Sequence, residues 1–262
     1  MLNLQALQQL DRASVRHEPF GPYVELENLI TAADHNRLSD AFPQRERFER
    51  LVGGRRRHGQ RPHNRFYLEL AGAAPSRSSA LESGTITEQE LAPVWRQFIA
   101  ELREASYACE VRRLFAVGTV RLRFTWHIAV DGDEVSPHRD LRSKRATHLF
   151  YFNTSPTWKR SSQGGETVLL GRKRTPAMNP EFEDFEVHKS ITVAGNRSLL
   201  FSNSREAWHG VRKLELQAGA ERRLFSVVFE STRLLPAAGD RLEKWVARSA
   251  ELFRSVRTTA SS

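Results

Sequence analysis

The sequence predicts a mainly β protein with flanking helices: a sandwich or barrel of short strands, with helices from the N-terminal part covering one sheet. Three observations lead there. From Val117 onward, seven short runs rich in Val, Ile, Leu, Phe and Thr alternate with Gly, Pro, Asn and Ser. Ahead of them, Leu91, Val94, Trp95, Phe98, Ile99 and Leu102 recur at helical spacing. The 262 residues can bury one full core and show no internal repeat, so a single domain over 1–262 is expected, with 1–116 as helical and mixed support, 117–232 as the β core and 233–262 as a C-terminal helix and tail.

In chain order, Tyr23–Leu26 reads as a short strand and Thr31–Ala41 as a helix ended near Pro43. Thr87 and Glu90 have capping-box spacing and open the helix carrying the Leu91–Leu102 stripe, which is core rather than a binding site. The strands are read at Val117–Val130, Ala146–Asn153, Glu166–Leu170, His188–Val193, Ser198–Ser202, Trp208–Val211 and Arg222–Glu230. After Leu235, the residues Leu242, Trp245, Val246, Leu252, Phe253 and Val256 return to helical spacing, and Thr258–Ser262 would fray.

Composition narrows the function classes. Cys109 is the only cysteine, which excludes a disulfide scaffold. The first residues lack the continuous apolar core of a secretory signal, and no apolar run approaches membrane-spanning length, so a cytoplasmic protein without a membrane partner is expected. A formal charge of +9 favours anionic partners: acidic metabolites, phosphorylated compounds or nucleic acid. Eight arginines crowd Arg45–Arg65 together with Gly53, Gly54 and Gly59, reading as a mobile basic loop that draws in an anionic substrate or as a merely solvated surface. A nucleic-acid-binding role has charge in its favour but no zinc-finger spacing, RNP-like aromatic motif or helix-turn-helix to support it.

The chemistry-bearing signal is Pro137-His138-Arg139-Asp140. Positions two apart on a strand share a face, so His138 and Asp140 can converge on one ion while Arg139 points away. With a second, distant His they would form a facial triad that leaves coordination positions open on non-haem iron. His-x-Asp alone also occurs in ordinary hydrogen-bonded turns. His209, in Trp208-His209-Gly210-Val211, is the best third ligand, and His188 its main rival; His58, His63, His127 and His148 lack a suitable setting. On the strand opening Glu221-Arg222-Arg223, alternation puts Arg222, Leu224 and Ser226 on one face, where Arg222 and the Ser226 hydroxyl could grip a carboxylate. A strand end rimmed by solvated arginines is the plainer alternative.

The order His138-x-Asp140, Leu149–Asn153, Trp158, Gly164-Gly165-Glu166-Thr167, Asn196–Phe201, Trp208–Val211 and Arg222 resembles the prolyl-hydroxylase-like branch of the 2-oxoglutarate/Fe(II) oxygenases over roughly 127–230, with a less specific likeness in Phe20–Pro43. The resemblance implies a double-stranded β-helix, a jelly-roll or cupin-like core with N-terminal helices on its major sheet. It assigns iron to His138, Asp140 and His209, and the distal carboxylate of 2-oxoglutarate to Arg222, with Ser226 and Tyr151 as hydroxyls near that carboxylate. Two departures stand: the interval from His209 to Arg222 is long, and the Arg222-Arg223 doublet leaves Arg223 as a substitute. Gly164-Gly165 fits a turn or bulge where bulk is not tolerated, and Trp158 and Trp208 are read as packing ahead of pocket wall.

Iron(II), 2-oxoglutarate and O2, with ascorbate as a candidate reductant, are the implied cofactors. The implied reaction is hydroxylation of a C–H bond in a small-molecule or amino-acid or peptidyl substrate, with release of succinate and carbon dioxide. Retention of the carboxylate Asp140 argues against halogenation, whereas desaturation, cyclisation or demethylation would use the same triad. A cupin-like metal enzyme without 2-oxoglutarate is the competing reading, and it has no need of an Arg222 clamp.

Overall fold

A computed structural model describes residues 1–52, 63–72, 84–153, 158 and 164–232. The C-terminal helix read after Leu235 and Arg55, Arg56, Arg57 and Arg61 of the basic stretch lie outside the described residues.

Among the described residues, four α-helices precede the β core: α1 (Leu4–Gln8), α2 (Ala32–Asp40), α3 (Pro93–Arg103) and α4 (Ala105–Phe115). α2 sits where its sequence places it, with Thr31 as N-cap, its hydroxyl accepting the Asp34 N–H at 3.3 Å. The Thr87–Glu90 capping box forms, but it closes a separate 3-10 turn, Glu88–Glu90. α3 starts afresh with Pro93 in its first turn, where the missing N–H costs nothing. Its stripe buries Val94, Trp95, Phe98, Ile99 and Leu102 as expected. α4 has no counterpart in the sequence reading, because its buried stripe is only Tyr107, Val111 and Leu114.

The strands are β1 (Tyr23–Glu27), β2 (Glu49–Leu51), β3 (Arg65–Leu70), β4 (Gly84–Ile86), β5 (Val120–Ala129), β6 (Val135–His138), β7 (Lys144–Tyr151), β8 (Thr167–Lys173), β9 (Phe185–Ile191), β10 (Arg197–Ser202), β11 (Trp208–Val211) and β12 (Arg222–Ser231). An eight-stranded major sheet has the order β1-β10-β7-β12-β5-β3-β2, with β4 added parallel to β3. A four-stranded minor sheet, β6-β11-β8-β9, faces it, giving a double-stranded β-helix. β2 and β3 correct the reading of Arg45–Arg65 as a loop wherever that segment is described. Three of its described arginines are engaged: Arg45 with Glu221 at 3.2 Å, Arg47 with Glu90 at 3.0 Å and Arg50 with Asp133 at 2.5 Å.

Strand alternation divides the major sheet cleanly. On β5, Phe124, Trp126 and Ile128 face the helices and join a core around Trp95, whose ring lies 5.3 Å from Trp126 and 5.0 Å from Phe225. The intervening Arg123, Thr125, His127 and Ala129 face the other way, into the barrel. Antiparallel register extends this into rows: Tyr67, His127, Leu224 and Tyr151 stand abreast on β3, β5, β12 and β7, and Glu69, Thr125, Ser226 and Leu149 form the next row. Ala129 and Arg222 pair one step beyond the first row. This polar inner face is the wall on which the site is built.

Candidate metal and cosubstrate site

His138 ends β6 and pairs directly with His209 on β11, the middle of the minor sheet. That register sets the two rings 4.3 Å apart. Gly210 lets β11 approach this closely, since a Cβ there would lie 2.8 Å from the Val135 carbonyl oxygen. Asp140 follows two residues after His138, and one ligand atom from each of His138, Asp140 and His209 lies within 4.8 Å of the others. The structure therefore brings the three sequence-read ligands together. His188, their rival, is elsewhere on β9, its Nε2 against the Phe185 carbonyl at 3.0 Å and its Nδ1 accepting from Arg212 at 2.8 Å.

The ring orientations fit a metal. His138 Nδ1 donates to the Ser136 carbonyl at 3.0 Å and His209 Nδ1 to the Ala207 carbonyl at 3.1 Å. A proton fixed on Nδ1 leaves the Nε2 lone pair for an ion. Asp140 Oδ1 accepts from Lys144 Nζ at 2.7 Å and Oδ2 from the Thr147 hydroxyl at 3.1 Å. Burial opposes its ionisation, but Lys144 first, and the His209 and His138 rings when protonated, outweigh that and hold the carboxyl well below its ordinary range. Two imidazoles and one ionised carboxylate are the donor set expected for non-haem iron. Lys144 and Thr147 escaped the sequence reading; spacings of four and seven from Asp140, across a turn, give no periodic signal.

Arg222, the first residue of β12, is buried and points into the barrel. Its Nε donates to the Gly165 carbonyl at 2.6 Å and one Nη to the Thr167 hydroxyl at 3.0 Å. The Tyr151 hydroxyl donates to the same Thr167 oxygen at 2.9 Å, and the guanidinium lies 5.7 Å from the Tyr151 ring. Having accepted from both, Thr167 has its own proton left to offer. Burial pushes the Tyr151 phenol up to about 12, so it stays a neutral donor. Gly165, at φ +78°, allows this cluster to close: a Cβ would sit 3.1 Å from Trp158 and 3.2 Å from Leu214. Gly164 is tighter still, since its Cβ would collide with the Lys213 carbonyl. Trp158 packs in this inner apolar cluster, whereas Trp208 packs with Phe185 on another face of the minor sheet.

The structure separates Arg222 from its neighbour. Arg223 reaches outward to Glu221 at 2.9 Å and over the Phe42 ring. It also separates Arg222 from Ser226, whose hydroxyl meets Thr125 at 2.5 Å and His127 Nε2 at 3.4 Å. Four residues along a strand span about 13 Å, so the hydroxyl beside Arg222 is that of Thr167 instead. Thr167 was quoted in the sequence motif without a role; only the β8–β12 approach across the barrel reveals it.

Residues 124–230 match the sequence profile described as the 2OG-Fe(II) oxygenase superfamily. No curated protein sequence matches the chain significantly. Among solved structures, a prolyl-4-hydroxylase from Pseudomonas putida is similar at TM-score 0.55 and 12% identity, covering 87% of this chain and 98% of that one. A prolyl hydroxylase from Trichoplax adhaerens, solved with a hypoxia inducible factor oxygen degradation domain peptide fragment, gives TM-score 0.53 and 13% identity over 79% and 83% of the two chains. AviO1 from Streptomyces viridochromogenes Tue57 gives 0.51 and 14% over 87% and 99%. At these identities the structures speak for the fold, and the profile match spans the strands that carry every residue of the triad and Arg222. The segment 124–230 is thus similar to the 2OG-Fe(II) oxygenase superfamily, and the chain shares its fold with the solved prolyl hydroxylases.

Proposed function

We propose that the chain hydroxylates an unactivated C–H bond of a small-molecule or amino-acid or peptidyl substrate, consuming 2-oxoglutarate and O2 and releasing succinate and carbon dioxide. The observation that carries this reading is the pairing of the His138–Asp140–His209 cluster with a buried Arg222–Thr167–Tyr151 cluster inside the same barrel. A cupin-like enzyme without a dicarboxylate cosubstrate would have no use for the second cluster.

In this proposal His138, Asp140 and His209 hold iron(II), and residues 117–232 form the catalytic unit supported by 1–116. When bound, iron(II) and 2-oxoglutarate would supply the electrons that activate O2, which is the oxidant. The protein's own contribution is positional. Arg222 and Tyr151 bind the distal carboxylate, joined by the Thr167 hydroxyl, while Ser226 with Thr125 lines the wall between that end and the barrel floor. Lys144 and Thr147 keep Asp140 ionised and fixed in rotation. The inner apolar residues Leu169, Leu199, Leu214 and Leu224 with Trp158 exclude water from the cosubstrate. The peptide on the Trichoplax relative supports a peptidyl substrate as one option, and the +9 charge supports an anionic one. Among the described residues no helix is long and apolar enough to cross a membrane.

Anaerobic addition of iron(II) and 2-oxoglutarate to metal-free protein tests the reading. A visible charge-transfer band is expected in the wild type and absent in His138→Ala. No band in the wild type, or an undiminished one in the variant, would overturn it.

A further inference from the structure

Arg65 opens β3 on the barrel-facing side and is an orphan. The residue is half-buried, and among the described residues its Nε is buried without a hydrogen-bond partner and it has no ion pair; the Tyr67 ring lies 5.9 Å from its guanidinium carbon. The other arginines whose neighbours have been traced on this inner wall are matched: Arg123 by Glu230 and Tyr67, Arg222 by Gly165 and Thr167. A buried guanidinium N–H left without an acceptor is costly unless something meets it.

Its surroundings define where that anion would lie. The preceding His63 places its ring 4.5 Å from His138, and the Asn64 N–H bonds the Glu134 carbonyl at 3.2 Å just ahead of β6, so the start of β3 is tied to the triad's strand. Continuing the β3–β5 register one step past Phe66–Ile128 sets Arg65 beside Ala129, whose other neighbour is Arg222. Two arginines thus flank a small residue across three strands, roughly 10 Å apart at the backbone. Asp140 acts on the charge of Arg65, and Arg65 on that of Arg222.

A second buried atom faces the same region without a partner, His127 Nδ1. The His127 ring lies 5.2 Å from the Tyr67 ring that Arg65 touches. Burial first, then Arg65 and Arg123, keep the imidazole neutral. Its Nε2 lies 3.0 Å from the Thr125 hydroxyl and 3.4 Å from that of Ser226. A neutral ring that accepts at Nε2 carries its proton on Nδ1, as a donor.

We propose that Arg65, seconded by His127 Nδ1, binds the metal-proximal α-keto-carboxylate end of 2-oxoglutarate, so that the cosubstrate is clamped at both ends by arginines from β3 and β12. This rests on the cosubstrate reading above. A bound dicarboxylate running from Arg222 toward the triad passes Arg65 at its metal end, and the orphaned donors there find an acceptor.

The test is titration of the anaerobic iron(II) protein, and calorimetry of the manganese(II) protein, with 2-oxoglutarate and with pyruvate, which has the α-keto-carboxylate but no distal carboxylate. Loss of a charge-assisted hydrogen bond predicts that Arg65→Gln weakens both ligands by a similar factor, about 10- to 100-fold. Arg222→Gln should weaken 2-oxoglutarate but leave pyruvate within about twofold, because only the distal end is lost. Arg65→Lys, which keeps the charge and loses the fork, should fall between, and it decides the matter if the Gln variant does not fold. Unchanged affinity for 2-oxoglutarate in both Arg65 variants, loss confined to 2-oxoglutarate, or no pyruvate binding by the wild type would each overturn the proposal. A wild type that binds no 2-oxoglutarate would instead remove the cosubstrate reading beneath it.

Discussion

Replacing Arg222 by Gln, with Arg223→Gln as its twin, separates two adjacent arginines that sequence leaves equivalent. Arg222 is 4% exposed and donates only inside the barrel. Arg223 has a 40% exposed side chain paired to Glu221. Truncating one partner of a buried, hydrogen-bonded charge pair costs about 2–5 kcal/mol of binding, whereas an exposed pair is worth about 0–1 kcal/mol. At about 1.4 kcal/mol per decade, Arg222→Gln should raise the 2-oxoglutarate Kd roughly 30- to several-thousand-fold, and Arg223→Gln less than about fivefold. Calorimetric titration of the manganese(II) protein measures both, with thermal unfolding run alongside to show that each variant is folded. A Kd unchanged in Arg222→Gln, or equal losses in the two variants, would refute the assignment of the inward arginine.

Three further outcomes follow from the packing and the charges. Lys144→Met removes the ammonium that outweighs burial at Asp140, so metal affinity should fall about 10- to 100-fold in an iron(II) titration; unchanged affinity would make Lys144 incidental. His148 is fully buried, bonded to the Tyr107 hydroxyl at 2.8 Å, and burial lowers its pKa from 6.5 to about 3. The unfolded chain therefore binds the proton first, and stability present above pH 6.5 is lost as pH falls from there toward 3, by at most roughly 1.4 kcal/mol per unit. Urea unfolding at pH 7, 6 and 5 should show a shallower decline in the His148→Phe, Tyr107→Phe double variant; identical slopes would count against it. Trp95→Ala empties the hub between α3 and the major sheet and should cost about 3–5 kcal/mol, lowering Tm at roughly 2–4 °C per kcal/mol.

The helices and strands that the sequence marks most clearly are those with one strong period. The α3 stripe and the alternating β12 run declare themselves because each must bury one face, whatever its neighbours do. β2, β3 and β6 were illegible for the opposite reason: they are short, carry Arg, Glu, Pro or His, and become strands only because a partner strand supplies the hydrogen bonds. The capping box at Thr87 was legible as local chemistry, yet local chemistry did not say that it closes a turn rather than a helix.

The site divides along the same line. His138 and Asp140 are neighbours in sequence, and their convergence can be read from spacing alone, although β6 ends at His138 and Asp140 lies two residues beyond it. That His209 rather than His188 joins them depends on which strand pairs with β6, and that Arg222 rather than Arg223 turns inward depends on which face of β12 the barrel claims. Sequence by itself determined the residue types a metal and a dicarboxylate need, and where along the chain they lie. Only the tertiary structure supplied Thr167, Lys144, Thr147 and the unpaired Arg65, because each of them acts through a partner on another strand or across a turn, and such distances are fixed by sheet register rather than by spacing along the chain.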